Sequence, residues 1–286
     1  MTDLHPKSIQ AWSLLAGVLL QQVDHEKNEK ARAKLMDELE NVILPKMDAV
    51  SNDPRDYFVQ MTRALVYMRK GQTFRKQARD ALVIASMSRP DISVAGDMIL
   101  GLDIELDDGE AAERHARTIL RRDRHDKLAN YVMGSLRLKE GDYSTAETFL
   151  RLSVDGEKPI AAAQNDLAEV LRRQQRYEEA EKFARAAVKT QEKLYVAWET
   201  LGATLLDQNK NLDEAEQCVE KAIKLSKTES KIEDIRMQIT LARVQIARGA
   251  LDKARITLRT LRKRQSELSN YDRDQLETLV KSARLK

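Results

Sequence analysis

Cysteine is nearly absent from this chain: Cys218 is the single one among 286 residues. No disulfide can form within the chain, and a lone thiol fits a reducing compartment. Only five prolines and ten glycines occur, which excludes collagen-like and Pro/Gly-rich linker architectures and leaves little to interrupt helix. The glycines are scattered singly, so no glycine-rich phosphate loop is present. Aromatic residues make up 5% of the chain, too few for the stacking platforms of single-strand binders. No long apolar run exists either. The most apolar stretch, residues 12–23, is interrupted or bounded by Ser13, Gln21 and Gln22 and is too short to span a bilayer. No small-residue cleavage site follows it, only the charged run 24–34. Charge of one sign is not in excess: 49 basic and 46 acidic residues give a net +3, whereas a nucleic-acid binder of this size shows a large basic surplus.

The chemistry-bearing residues are equally sparse. The four histidines, His5, His25, His115 and His125, form no metal-ligand spacing. Cys218 has no histidine near it in sequence, and no G-x-S-x-G turn occurs. His115 and His125 are expected at the surface. The basic clusters 121–124 and 259–264 contain or adjoin acidic residues and read as solvated faces. The expectation is a chain without catalytic residues, metal or cofactor, and not an enzyme.

What is present is helix-forming sequence with a repeat. An apolar content of 42% and a charged content of 33% suit a continuous core and exclude disorder. Six alanines, Ala78, Ala112, Ala146, Ala180, Ala215 and Ala254, follow one another at gaps of 34, 34, 34, 35 and 39 residues. A small residue at that period within helical sequence marks a stacked array of helix pairs. In the clearest unit a helix containing Gly134 meets a turn at Gly141, Asp142 and Tyr143, and a second helix follows over 146–154. One period later come Ala168, Tyr177 and Ala180, and one more gives Trp198, Leu201, Gly202 and Ala215. Gly134 and Gly202 are expected where the two helices of a unit cross. Gly141 and Gly249 supply the left-handed residue that ends a helix, and Asp142 and Asn211 are candidate N-caps.

These residues resemble the tetratricopeptide repeat, a 34-residue helix-turn-helix unit. The resemblance is carried by Trp198, Leu201, Gly202, Leu205, Ala215 and Ala222 in one unit, by Leu167, Ala168, Leu171, Tyr177, Ala180 and Ala187 in another, and by Met133, Gly134, Ala146 and Leu150 in a third. Ser153 departs from it by standing where alanine is usual. Looser units surround Ala112, through Leu100 and Gly101, and Ala78, through a longer turn at Gly71. Another surrounds Ala254, through Leu241 and Ala242. The resemblance implies an all-α, right-handed α-solenoid of stacked antiparallel helix pairs, in one domain over 9–286. Its expected parts are an irregular N-terminal pair at 9–47, repeats at 57–90, 93–126, 127–160, 161–194, 195–229 and 231–265, and a polar capping helix at 270–286. Pro6 then falls at the end of a repeat that is not there, so further repeats are expected upstream, as in a C-terminal fragment of a bacterial protein of this family. The first unit would then expose a face suited to self-association.

In this family the first helices of successive units line a concave face that holds peptides or proteins. Carried onto this chain, that face comprises Leu128, Tyr131, Ser135, Leu138 and Lys139; Ala162, Asn165, Glu169, Arg172 and Arg173; and Val196, Glu199, Ala203, Leu206 and Asp207. The candidate partner-binding residues are Tyr131, Ser135, Lys139, Asn165, Glu169, Arg172, Arg173, Glu199 and Asp207. The family's carboxylate clamp for chaperone tails is not met, because its lysine, asparagine and arginine places hold Tyr131, Ser135, Asp166, Val196 and Thr200. The implied function is a non-enzymatic protein-interaction scaffold, of the kind found in bacterial assembly, envelope or secretion systems. An RNA-binding helical repeat and the regulatory arm of a larger enzyme are the alternatives. A cytoplasmic location is favoured, unless an upstream signal or anchor exists.

Overall fold

The computed structural model describes residues 7–229, 235–264, 268 and 270–283. Pro6 and His5 lie outside them, as do the link 231–234 and the last residues of the expected cap. Among the described residues the regular structure is helix throughout. Cα packing separates two compact units, Met1–Arg124 and His125–Lys286.

The first unit opens with α1 (Ile9–His25), capped by the Ser8 hydroxyl, which accepts from the Ala11 N–H. The next helix starts on Asn28, whose side chain accepts from the Lys30 and Ala31 N–H groups. It runs as α2 (Glu29–Glu38), passes through a π-turn (Leu39–Ile43) and continues as α3 (Leu44–Ser51). The helical backbone therefore extends past the expected pair boundary at 47. Pro45 falls inside it. Proline lacks an N–H and crowds the carbonyl four residues back. Just before Pro45 the ladder shifts, and the Leu44 N–H reaches the Leu39 carbonyl. Such a π-turn absorbs a local break without ending the helix. Trp12, Leu39, Ile43 and Met47 are buried in the resulting core.

The remaining helices of this unit pair as expected. In the first pair, α4 (Tyr57–Lys70) and α5 (Arg75–Ser88) are joined through Gly71 at φ +112° and a 3-10 turn (Gln72–Phe74). In the second, α6 (Val94–Glu105) meets α7 (Gly109–Leu120). One expectation fails here. Leu100 is fully buried, while a Cβ added to Gly101 would meet open space. Gly101 is thus not the small residue of a helix crossing. The pair instead encloses Asp103, whose carboxylate takes Arg79 Nη1 at 3.2 Å and His115 Nδ1 at 2.7 Å. His115 is half-buried against this carboxylate rather than a free surface residue. A buried carboxylate survives because two donors compensate its lost water.

The second unit is the regular one. Its pairs are α8 (Lys127–Glu140) with α9 (Tyr143–Val154), α10 (Ala161–Arg173) with α11 (Tyr177–Thr190), α12 (Tyr195–Asp207) with α13 (Leu212–Glu229), and α14 (Ile235–Ala247) with α15 (Leu251–Lys263). The helix α16 (Asn270–Ser282) follows. All six ladder alanines, in both units, are at most 2% exposed. A Cβ on Gly134 would lie 2.6 Å from Leu150 Cγ, and one on Gly202 would lie 2.6 Å from Val219 Cγ2 and 3.0 Å from the Ala215 carbonyl. These are the close crossings the glycines were expected to permit. Gly141 ends α8 at φ +81° and Asp142 caps α9 through the Thr145 N–H. The α12–α13 turn holds its extra residue with Asn209 and Asn211 at φ +51° and +47°. Asn211 therefore sits in the left-handed region, outside the extended backbone an N-cap usually adopts. Outer ion pairs link successive second helices, as in Arg151–Glu179 and Arg185–Glu214, and Lys210 of the α12–α13 turn pairs with Glu181 of α11.

Candidate functional site

The first helices α10, α12 and α14 lie in sequence along one side of the second unit, and α16 closes the row. Between them runs a groove of about 1070 Å³. Six of the nine expected binding residues line it: Asn165, Glu169, Arg172, Arg173, Glu199 and Asp207. The other three, on α8, do not line it. Tyr131 and Ser135 stand behind it and join Asp166, which does: Ser135 hydrogen-bonds both Tyr131 and Asp166. Lys139 acts on Asp166 through its charge.

An ion-pair chain crosses the floor. Arg172 donates Nε and Nη2 to the two oxygens of Glu169 at 2.9 Å each, and Nη1 to Asp207 Oδ2 at 2.5 Å. Arg173 Nε donates to Glu169 Oε1 at 2.7 Å, and Arg243 Nη2 reaches Asp207 Oδ1 at 3.3 Å. Bidentate arginine–carboxylate pairing of this kind is directional and stronger than a neutral hydrogen bond. Burial alone would raise the Glu169 pKa; the Arg172 and Arg173 bonds outweigh it and hold the carboxyl below its usual range. Burial works against the Arg172 charge, and Glu169 and Asp207 more than reverse this. The two carboxylates and three arginines thus hold one another, and three first helices with them. Glu199 accepts from the Thr240 hydroxyl at 3.1 Å, a further tie between α12 and α14.

At one end of this chain the balance differs. Burial pushes the Asp166 carboxyl up to about 6, although Ser135 and Asn165 donate to it and Lys139 opposes the rise; Glu169 adds to it. Tyr131 is pushed up to about 12, again first by burial and then by the Asp166 charge. Asn165 spends its amide N–H on Asp166 Oδ1 at 3.3 Å, while its own Oδ1 is buried without a hydrogen-bond donor among the described residues.

Several lining residues escaped sequence reasoning. Arg236, Ile239 and Arg243 come from α14; counting back and forward from Ala242 in the register of Ala168 and Gly202 reaches them. Asp272, Asp274, Gln275, Thr278 and Leu279 come from α16. That helix was expected only as a solvating cap, but one face of it forms the end wall, while Leu276 and Val280 enter the core. Among the described residues no group of three or more His, Cys, Asp or Glu side chains could hold a metal ion, and no helix is long and apolar enough to cross a membrane. Cys218 is buried, with its thiol pushed up to about 11 by burial first and by the Glu214 charge.

Comparison with known proteins adds the fold and little more. A family described as a domain of unknown function, DUF7017, matches residues 163–284, the segment that builds most of the groove. No curated protein matches the sequence. Among solved structures, a chain of the APC/C hetero-tetramer Cut9–Hcn1 superposes with a TM-score of 0.66 at 16% identity, over 98% of this chain and 51% of that one. This chain therefore spans about half the length of that relative. The type IV pilus biogenesis factor PilW gives 0.58 at 16% identity over 78% of this chain and 98% of its own. A tetratricopeptide repeat protein from Parabacteroides merdae ATCC 43184 gives 0.56 at 16% identity, over 94% of this chain and 98% of its own. At such identity the likeness is one of fold. Together with the buried alanine ladder and the glycine crossings, it shows that this chain has the tetratricopeptide-repeat fold, an all-α helical solenoid.

Proposed function

We propose that the chain is a non-enzymatic protein-interaction scaffold that holds a peptide segment of a partner in the groove of its second unit. The observation that carries this reading is the groove itself. It has about 1070 Å³ of space, walls from α10, α12, α14 and α16, and a floor of mutually paired charges. A peptide in such a groove gains contact along several repeats at once, the usual advantage of a solenoid surface. The paired floor is pre-organised, so little side-chain ordering is left for the moment of binding. Similar folds with stated interactions point the same way: a solved tetratricopeptide-repeat protein, YrrB, is described as having an unusual peptide-binding site. Single-stranded RNA is disfavoured, because the groove's described lining carries six carboxylates against four arginines and repels phosphate.

The test is affinity capture from the source cells, comparing three forms of the chain. Val196→Arg places a bulky charge in the groove. Lys182→Glu alters an exposed position on α11 away from it. A partner retained by Lys182→Glu and lost by Val196→Arg supports the reading. A partner that survives Val196→Arg but is lost by Lys182→Glu moves the function to the outer face.

A further inference from the structure

The charges of the groove are unevenly spent. Arg172, Arg173 and Arg243 are each bound to a groove carboxylate, and Arg236 is engaged as well. The lining's cations are therefore committed to the protein's own groups. Its surplus lies with acceptors. The sharpest of these is Asn165, which is only 8% exposed, lines the groove, and has an amide oxygen with no donor among the described residues. A buried acceptor left unsatisfied loses its water without compensation, and each such group in a folded protein asks for an explanation. Asp166 stands beside it, joined by the Asn165 amide, and is also half-buried in the lining. Its ionised form is opposed by burial and by Glu169; Ser135, Asn165 and the charge of Lys139 favour it, and Tyr131 faces it from α8. Asp274 adds a further carboxylate from the α16 wall.

Resting on the groove reading above, we propose that the occupant is a cationic peptide segment, with one lysine or arginine side chain seated between Asn165 and Asp166. An ammonium carries three donors and no acceptor, and a guanidinium carries five. Either can bring the Asp166 carboxylate the counter-charge that burial denies it and, once the Asn165 amide turns toward the groove, donate to its orphan oxygen as well. An anionic or purely apolar segment does neither. An incoming acidic side chain would meet arginines whose charge is already balanced by Glu169 and Asp207.

The experiment uses the full chain and four fluorescein-labelled pools of peptides about twelve residues long, randomised except for a fixed central lysine, arginine, glutamine or glutamate. Anisotropy at about pH 7.5 and about 0.1 M salt, where exposed charges more than about 10 Å apart are screened, reports affinity. The lysine and arginine pools are expected to bind about tenfold tighter than the glutamine pool, with glutamate weakest, a ratio typical of one partly buried charge pair. Asp166→Asn should erase the lysine-over-glutamine preference while leaving glutamine-pool binding in place. In the unaltered chain the same preference should fade below about pH 6, as Asp166 takes up its proton. Equal binding of all pools, or a lead for glutamate, with loss of all binding in Val196→Arg, overturns the cationic seat and leaves the groove reading standing. Binding of no pool overturns both.

Discussion

Replacing Asp166 by asparagine should stabilise the chain at neutral pH and leave it almost unchanged in acid. The side chain keeps its shape and its carbonyl can still accept from Ser135 and Asn165, so the change isolates the charge. In the folded chain the carboxyl is pushed from 3.8 up to about 6, chiefly by burial. At about 1.4 kcal/mol per pH unit, the ionised form would carry about 3 kcal/mol of penalty at neutral pH. Asp166 is only half-buried, and residual solvent reduces this to about 1–3 kcal/mol. The sign follows from proton counts. Between about pH 4 and about pH 6 the folded chain holds a proton that the unfolded chain has lost. The group's contribution to stability therefore declines as pH rises through that window, and Asp166→Asn escapes the decline. Urea denaturation followed by circular dichroism, at half-unit steps from about pH 4 to about pH 7.5, should show the two curves together in acid and about 1–3 kcal/mol apart above pH 6. A gap that does not change with pH, or an asparagine form less stable at about pH 7.5, refutes the reasoning. A carboxylate kept at such a cost fits a binding role better than a structural one, since stability surrendered at a site is commonly tied to function.

Further expectations concern packing. Gly202→Ala should destabilise the chain by about 1–3 kcal/mol, because the new Cβ would sit 3.0 Å from the Ala215 carbonyl as well as against Val219. Gly101→Ala should stabilise it by about 0.5–1 kcal/mol, the helix-propensity gain at a site with open space; both changes are read by thermal or urea unfolding. Ser153→Ala should stabilise by about 1 kcal/mol, since the Ser153 hydroxyl is fully buried and has no hydrogen-bond partner among the described residues; destabilisation in the same assay would contradict this. Thiol labelling of Cys218 at about pH 8 should be slow in the native chain and fast in urea, because the side chain is 3% exposed and its thiol is pushed up to about 11 by burial first and then by Glu214.

The repeat was legible in the sequence because close packing leaves a compositional trace. Ala146, Ala180 and Ala215 had to be small, as did Gly134 and Gly202, and that need recurs once per helix pair. The trace fades where packing is solved otherwise. At α6 and α7 a buried Leu100 and the Arg79–Asp103–His115 cluster replace the small-residue crossing, so Gly101 misled. The groove was legible in α10 and α12, whose register is fixed by Ala168 and Gly202. It was missed in α14, where the lengthened link before Ile235 obscured the phase, and in α16, whose wall-forming face belongs to no repeat. Ion pairs between successive helices, such as Arg172–Asp207 across 35 residues, leave no short-range pattern. Helical spacing alone can show only the local pairs of Glu169 with Arg172 and Arg173. The tension at Asp166 arises from burial by neighbours in three dimensions, so no local motif announces it.

Site-specific photo-crosslinking within the source cells tests the central claim most directly. A benzophenone side chain is placed either at Val196, in the groove, or at Lys182, on the exposed face of α11. The account predicts a discrete protein adduct from Val196, with the crosslinked peptide bearing a lysine or arginine next to the attachment point, and no such adduct from Lys182. Adducts from Lys182 alone would place the partner on the outer face and contradict the groove as the seat of function.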